Sequence, residues 1–532
     1  MPTGGTFVKT PFKEDVSNPN TAAGRYSALA NLRDAYLERA REISKLTIPS
    51  LMPPEGHTGV EDLYQTFQSV GARGVNHLSS KLLLTLLPPL HPFFRLDTDR
   101  FVLEGLKQSA GPEAAEEVRS ALTLLERAVL DDSEEKADRV AVFELLKHLL
   151  VTGNGLLYDM PEDGLKLYHL DRYVIKRDPM GSLLEVVVKE SIAPVALPES
   201  VRGIIEDKLR QNEDASPTVD VYTWIKRDAK RYKIHQEVMD VVISQSIGSY
   251  PLDGLPWYAL RMIRIDGEDY GRGFVEEYYG DLKSLEGLTK AIVEGSAAAA
   301  KLLILVHPNA STSIKTIAEA PNGAIREGNA EEISFLHMEK FNDFRVALDT
   351  MIRIEMRLSQ AFLLNSSVQR DAERVTAEEI RLMAQELEDA LGGVYSLLTH
   401  EFQLPYVRNR LRVLSRKPEW PKLPKGIVKP KIITGLEALS RGHERNSLIE
   451  YMATLNATFG EAEVNRRINT GNLMKRLADM DGIDTDGLIK TDEEVAQADQ
   501  QAQMMQMGQQ LGPEIMKMMN TATANGGTPV VE

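Results

Sequence analysis

The chain has 532 residues, a formal net charge of −16, 42% apolar and 26% charged residues, and no cysteine. A core of that size needs no covalent staples, and without cysteine disulfides and thiolate metal sites are excluded. The acidic balance argues against a protein whose main work is gripping nucleic acid, so any DNA contact is local, weak or enforced by geometry.

Residues 1–20 are rich in Pro, Gly, Thr and Asn and are expected to form a flexible arm. They lack the apolar core of a secretory leader. From Arg25 to Ile48 apolar residues recur at helical spacing (Leu29, Leu32, Tyr36, Ala40, Ile43), and Pro49, Pro53 and Pro54 stop the helix. Further helices are expected over Gln65–Leu87, Gly111–Leu130 and Ala137–Val151. The densest apolar run, Leu82 to Leu90, is broken by Pro88 and Pro89. It falls far short of the roughly 20 residues that cross a bilayer and reads as a buried helix end.

Gly153-Asn154-Gly155 is a turn signal, after which the period changes. LKLYHL, LLEVVVKESI, VDVYTWIK, YKIHQEVMDVVI and WYALRMIRI are β-branched or aromatic runs separated by short breaks. Residues 156–266 therefore read as a mostly antiparallel β-rich insertion. Helical spacing returns from Phe274 to Val306, with Leu282, Leu285, Leu288 and Ile292 on one face and a small-residue stretch at Ala297–Ala300. His307-Pro308-Asn309 ends it, and Asn309–Asn329 reads as a small exposed module. A second long helix is expected over Met338–Leu364, followed by a polar loop, NSSVQRDAER, at 365–374. Thr376 and Glu379 make a capping box that starts a helix toward His400, with Gly392-Gly393 as a weak point. Helices continue to about Met480, the Gln- and Met-rich stretch from Glu493 to Asn520 is expected to be helical, and the last residues disordered. The fold class is mainly α with a β-rich insertion, α+β.

There is no GxxxxGK[ST], GxSxG or HExxH pattern, and no convincing acid/base pair. No cofactor is implied. Asp484, Asp486, Gly487 and Glu493 fall at calcium-loop positions, but the first position is Gly482, and a turn before a helix cap at Thr491 is the better reading. The methionines from Met504 to Met519 read as helix-packing filler. Arg345, Asp349, Arg353 and Arg357 are spaced by four and line one face of the second long helix. Such a stripe is usually a solvated surface. Here it leads into a polar loop carrying Gln369, Arg370 and Arg374.

Long ordered strings identify a family. LTIPSL (46–51), QSVGARGVNHLSSKL (68–82), IDGEDYGRGFVEEYYGDLKSLE (265–286), NSSVQRDAERVTAEEIR (365–381), ELEDALGGVYSLLTHEFQLP (386–405) and TGLEALSRG (434–442) resemble the portal, or head-to-tail connector, proteins of short-tailed bacteriophages that encode a single-subunit RNA polymerase. The similarity covers roughly residues 22–495 and is loose over 309–333.

The resemblance implies a non-enzymatic structural subunit of a dodecameric ring at one capsid vertex, through which double-stranded DNA is packaged and ejected. Its fold would have a wing (21–275), stem helices (276–306 and 338–364), a clip (307–337), a tunnel loop (365–374), a long wing/crown helix (375–415), crown helices (416–520) and a disordered tail (521–532). Implied partners are other copies of the chain, channel DNA, the terminase large subunit, major capsid and scaffolding proteins, and tail adaptor and internal core proteins, with no membrane. The expected locations are the virion and, during assembly, the host cytoplasm. Lys315 and Arg326 would dock motor or tail; Gln369, Arg370 and Arg374 would touch DNA in the tunnel loop; Arg345, Arg353 and Arg357 would face the channel. The stem arginines are equally placed for salt bridges between subunits, with Asp349, Glu355 or Asp371, whereas for the loop arginines DNA contact or gating is the better reading, because such polar loops usually face solvent or ligand. The alternative function is a helical virion scaffold or adaptor without a channel.

Overall fold

The computed structural model describes residues 18–481 and 488, except 58, 90–91, 99–103, 106–107, 110–111, 211–217, 300–302, 309–314, 316–320, 322–324, 326–330, 332, 337–340, 365–376, 392, 417–430, 435–440 and 469. The chain divides into two units, Met1–Leu439 and Ser440–Glu532.

In the first unit, α1 spans Ala22–Leu46 and starts earlier than its periodicity suggests, because the Thr21 side chain caps Gly24 N at 3.2 Å. Its buried stripe is Leu29, Leu37, Ala40 and Ile43. Helix α2 spans Val70–Leu86, five residues shorter at its start than expected. The amides of Phe67 and Gln68 donate to the Glu286 carboxylate instead, and the Gln68 side chain caps Gly71 N at 2.9 Å. Leu82, Leu86 and Leu87 are buried, as expected of the helix end. Then come β1 (Phe94–Asp97), α3 (Pro112–Glu135) and α4 (Asp138–Thr152). Gly153 ends α4 at φ 76, where a Cβ would lie 2.3 Å from the Arg272 backbone.

The β-rich region holds β2 (Asn154–Met160), β3 (Gly164–Tyr168), β4 (Tyr173–Arg177), β5 (Leu183–Ile192), α5 (Glu199–Arg210), β6 (Val219–Arg227), β7 (Arg231–Val238), β8 (Val241–Pro251) and β9 (Trp257–Arg261). Every pairing is antiparallel: a three-stranded sheet in the order β3-β2-β9 and a five-stranded one in the order β4-β5-β6-β7-β8. Two features depart from the sequence reading. The run YKIHQEVMDVVI is a hairpin, with both Met239 (φ 47) and Asp240 (φ 63) left-handed at its turn. Helix α5 interrupts the strands: its Val201 and Ile205, four residues apart, bury together with Leu197 just before it against Val219, Val221, Val238 and Ile243.

The expected helix 274–306 is three pieces: a 3-10 turn at Phe274–Tyr278, α6 (Tyr279–Ala299) and strand β10 (Leu303–Val306). The end of the proposed first stem helix is thus corrected to a strand, because its backbone pairs with β11 (Ile333–Leu336), Leu303 opposite Leu336. The second long helix, α7, spans Phe341–Ala361. The expected long helix 375–415 is also divided, into α8 (Ala377–Leu391), α9 (Val394–Leu398), one π-helical turn (Thr399–Gln403) and α10 (Leu404–Leu414). Gly393, at φ 89, makes the break. The stretch 416–440, expected to begin the C-terminal helices, instead contributes β12 (Lys431–Thr434), which pairs with β1, Phe94 opposite Thr434.

One large apolar cluster joins α2, α3, α4, α6, α7 and α8 with the β9 face, through residues such as Leu78, Val129, Leu146, Leu282, Leu358 and Leu387. In the second unit, α11 (Arg441–Phe459) packs on α12 (Glu461–Arg467) and α13 (Thr470–Asp481), turning at Gly460, φ 79. The capping box at Thr376, the calcium lookalike and the methionine-rich stretch lie outside the described residues.

Candidate functional site

The elements that carry the sequence-derived candidates are α6, α7 and the segments they lead into. Helices α6 and α7 lie side by side, Leu282 and Leu285 packing in one cluster with Ile354, Leu358 and Phe362. Helix α7 has three faces. Ile354, Leu358 and Phe362 are buried, spaced by four as an amphipathic helix requires. Leu348, Ile352 and Met356 form a second, apolar stripe that is 43–58% exposed. Arg345, Asp349, Arg353 and Arg357 form the third, and all four are exposed. The charged stripe is therefore where the spacing places it.

Only Arg357 of that stripe has an ion pair among the described residues, its Nη2 2.8 Å from Asp281 Oδ1 on α6. That partner belongs to the same chain, a pairing the sequence did not suggest. The guanidinium is 63% exposed, so the pair contributes well under about 1 kcal/mol. Lys315 is exposed. Arg326, Gln369, Arg370 and Arg374 lie outside the described residues.

Three groups of side chains hold these elements in place, and none was visible in the sequence. Glu286 on α6 accepts from Tyr64 OH at 2.7 Å, Phe67 N at 3.0 Å and Gln68 N at 3.2 Å, tying the segment before α2 to α6. Helix α2 grips both flanks of segment 365–376. Gly74 lies against the Phe362 ring, His77 Nε2 is 3.1 Å from Leu363 O, and Lys81 Nζ is 3.0 Å from Glu386 Oε2 on α8. Because a carbonyl only accepts, His77 Nε2–H is the donor there, and burial and the Lys81 charge hold His77 below the usual imidazole range. The third group is a buried ion cluster. Arg410 on α10 reaches Asp132 (3.2 Å), Asp138 (2.8 Å) and Asp159 (3.0 Å), while Tyr406 donates to Asp138 and Tyr258 and Asn409 to Asp159. These are elements far apart in sequence locked by charge rather than a reactive centre, since the arginine and its three carboxylates are all nearly inaccessible.

A cleft of about 680 Å³ lies between α4 and β3, lined by Glu144, Lys147, His148, Lys166 and His169. Burial, His169 and Lys147 push the His148 pKa down to about 3. An unfolded imidazole protonates near 6.5, so acid charges the unfolded chain first; the stability is complete above that pH and is lost as pH falls toward 3. Going from pH 7 to 5 is expected to cost about 2 kcal/mol through this residue. Urea midpoints across that range measure it, and His148→Gln should flatten the dependence; an unchanged slope would assign it elsewhere. Among the described residues no group of three or more His, Asp or Glu is placed to hold a metal. No described helix is long and apolar enough to cross a membrane.

Comparison with known proteins decides the family. The profile described as "Bacteriophage head to tail connecting protein" matches residues 19–489. The chain belongs to this family of phage head-to-tail connectors. The connector is 42% identical to the portal protein of Enterobacteria phage T3 over 95% of this chain and 93% of the relative. It is 42% identical to the portal protein of Escherichia phage T7 over 92% and 91%, and 29% identical to that of Enterobacteria phage SP6 over 94% of each. Among solved structures, "Neck of native GTA particle computed with C12 symmetry" matches 72% of the connector and 85% of that chain at 13% identity, with a TM-score of 0.28 that carries no argument. The family expectation drawn from the ordered strings is thereby met.

Proposed function

We propose that this connector is the portal subunit of a short-tailed phage. Its copies close head to tail into a dodecameric ring at one capsid vertex, around a channel through which DNA enters and leaves. The observation that carries this reading is 42% identity to two portal proteins over more than nine-tenths of both chains. Stem, clip and tunnel loop are assigned to α6 with α7, to the segment between them, and to 365–374. The protein works as structure, in the virion and, while assembling, in the host cytoplasm. The terminase large subunit docks first and tail components later, with Lys315 and Arg326 on the docking side.

A closing ring needs a heterologous interface, one face meeting the opposite face of the next copy. The exposed apolar stripe of α7 beside its charged stripe supports such an interface. Channel chemistry follows from charge. Each fixed phosphate contact releases counterions, and several per subunit around a ring would trap the duplex. An acidic subunit with sparse cations lets DNA slide. Arg370 and Arg374, with Gln369, are the residues assigned to loose phosphate contact, and Arg345 and Arg353 keep either of the two roles open to an exposed arginine on the stem.

Electron-microscope images of the purified full-length protein test the ring; closed particles with a central hole are expected. Only monomers or two-fold pairs, there and in virions, would leave a scaffold or adaptor as the reading. Arg370→Ala is expected to leave rings intact while altering DNA packaging or retention. Failure to form rings would move Arg370 to the interface.

A further inference from the structure

The five-stranded sheet ends on β8, and no described residue pairs with its outer edge. The stretch from Val241 to Leu252, VVISQSIGSYPL, holds no charged residue. Val242, Ile247 and Leu252 are 42%, 64% and 40% exposed. Between Ile234 and Gln236 the register shifts by three residues, so that Ser244–Ile247 of β8 lie opposite His235 alone, while β8 runs on to Pro251 at its end. Long edge strands that face water usually carry charge, and an uncharged one is a template for a further strand.

The chain itself enters the fold over the face of this sheet, one strand in from its free edge. Ala22 N donates to Glu237 Oε2 at 2.6 Å, and Glu237 stands directly opposite Val242 in the β7–β8 ladder. Asn18, the first described residue, is tied to the same spot through Thr21 N and Thr21 Oγ1, which both donate to its carbonyl. Seventeen residues precede it. Extended, they reach roughly 55 Å, against roughly 36 Å for the whole of β8. They contain one strand-type stretch, Thr6-Phe7-Val8-Lys9-Thr10, bounded by Gly5 and Pro11. Traced back from Asn18 past Val242 toward Tyr250, the arm runs antiparallel to β8, the direction of every other pair in this sheet.

We propose that Thr6–Thr10 of the chain's own N-terminal arm pair with the outer edge of β8 as a sixth antiparallel strand. Backbone hydrogen bonds satisfy the free edge, and the arm's apolar side chains cover Val242 and Ile247. The segment Pro11–Ser17 is the span from the new strand to the α1 cap. Nothing in this pairing depends on ring formation or on the proposed channel.

Two measurements on the full-length protein test it. Amide hydrogen exchange of β8 is compared among the unaltered chain, a chain lacking residues 2–17, and Val8→Pro, which keeps the arm but removes a donor and breaks the strand. Outward-facing β8 amides are expected to exchange on the order of tenfold faster in both altered chains, with β6 unchanged. Because the chain has no cysteine, Val8→Cys combined in turn with Gln245→Cys, Ile247→Cys or Ser249→Cys reports proximity directly. A disulfide within one chain is expected for one of these pairs. Equal exchange in all three proteins would overturn the pairing, and so would disulfides that form only between chains.

Discussion

Arg410→Met is expected to cost the first unit about 3–5 kcal/mol, the usual result of removing one partner from a buried ion cluster. The guanidinium is fully buried, and it is the cation shared by Asp132, Asp138 and Asp159. Burial already raises Asp138 and Asp159 above the usual carboxylate range, with Arg410 offsetting part of that rise. Its loss leaves both carboxylates less able to hold charge. A carboxyl whose folded pKa exceeds its unfolded value binds protons in the folded state first, so acid favours the fold. The deficit of the variant is therefore largest at neutral pH and shrinks as pH falls toward the unfolded carboxylate value. Urea unfolding followed by fluorescence of Trp224 and Trp257, both buried, reads this out. Adding Asp138→Asn and Asp159→Asn should recover part of the loss. A variant as stable as the parent at pH 7 would show that the cluster locks nothing.

Gly74→Val is expected to cost about 3 kcal/mol, the upper part of the range for overpacking a core. A Cβ at Gly74 would lie 2.4 Å from Cγ of Phe362. That ring is fully buried, edge-on to Phe274 at 6.2 Å, and has no open side to move toward. Leaving glycine gains up to about 1 kcal/mol of helix propensity, too little to offset the clash. The strain falls on the end of α7, where Leu363 takes up φ 54 and its carbonyl meets His77. Phe362→Ala in the Gly74→Val background is expected to restore most of the urea midpoint. Additive losses in the double variant would place the cause away from this contact.

The two sites differ in how they were written in the sequence. Gly74 lies inside one of the family-like strings, but its role depends on a ring nearly three hundred residues later. Arg410 sits in a helix of ordinary amphipathic pattern, and the three aspartates it joins come from α3, α4 and β2. The same holds for Glu286, His77 and Lys81. Each is an unremarkable polar residue on its own helix, and each acts on a backbone or charge that only the fold brings near. No local periodicity marks such residues, because periodicity reports which face is buried and says nothing of what it meets.

Local errors have local causes. Met239 is a poor turn signal, so the β7–β8 hairpin reads as a single strand, although Asp240 tolerates the left-handed turn. Leu303–Val306 reads as the end of α6 because an apolar run of four suits either state, and its pairing with Ile333–Leu336 decides it. The β1–β12 pairing joins four residues to four others across more than three hundred positions, with nothing in either segment to announce it.

The sequence alone determined the family, through long ordered strings, and the α+β class, through the change from helical to alternating period near Gly153. It also determined where most helices run, because burial of one face imposes a spacing that survives in the chain, and it placed the charged stripe of α7. The tertiary structure decided which faces meet: α2 against both flanks of 365–376, Glu286 against the segment before α2, Arg357 against Asp281, and Arg410 at the centre of three carboxylates. Those contacts are set by packing between elements distant in the chain, where the energy belongs to pairs of residues and neither member alone records it.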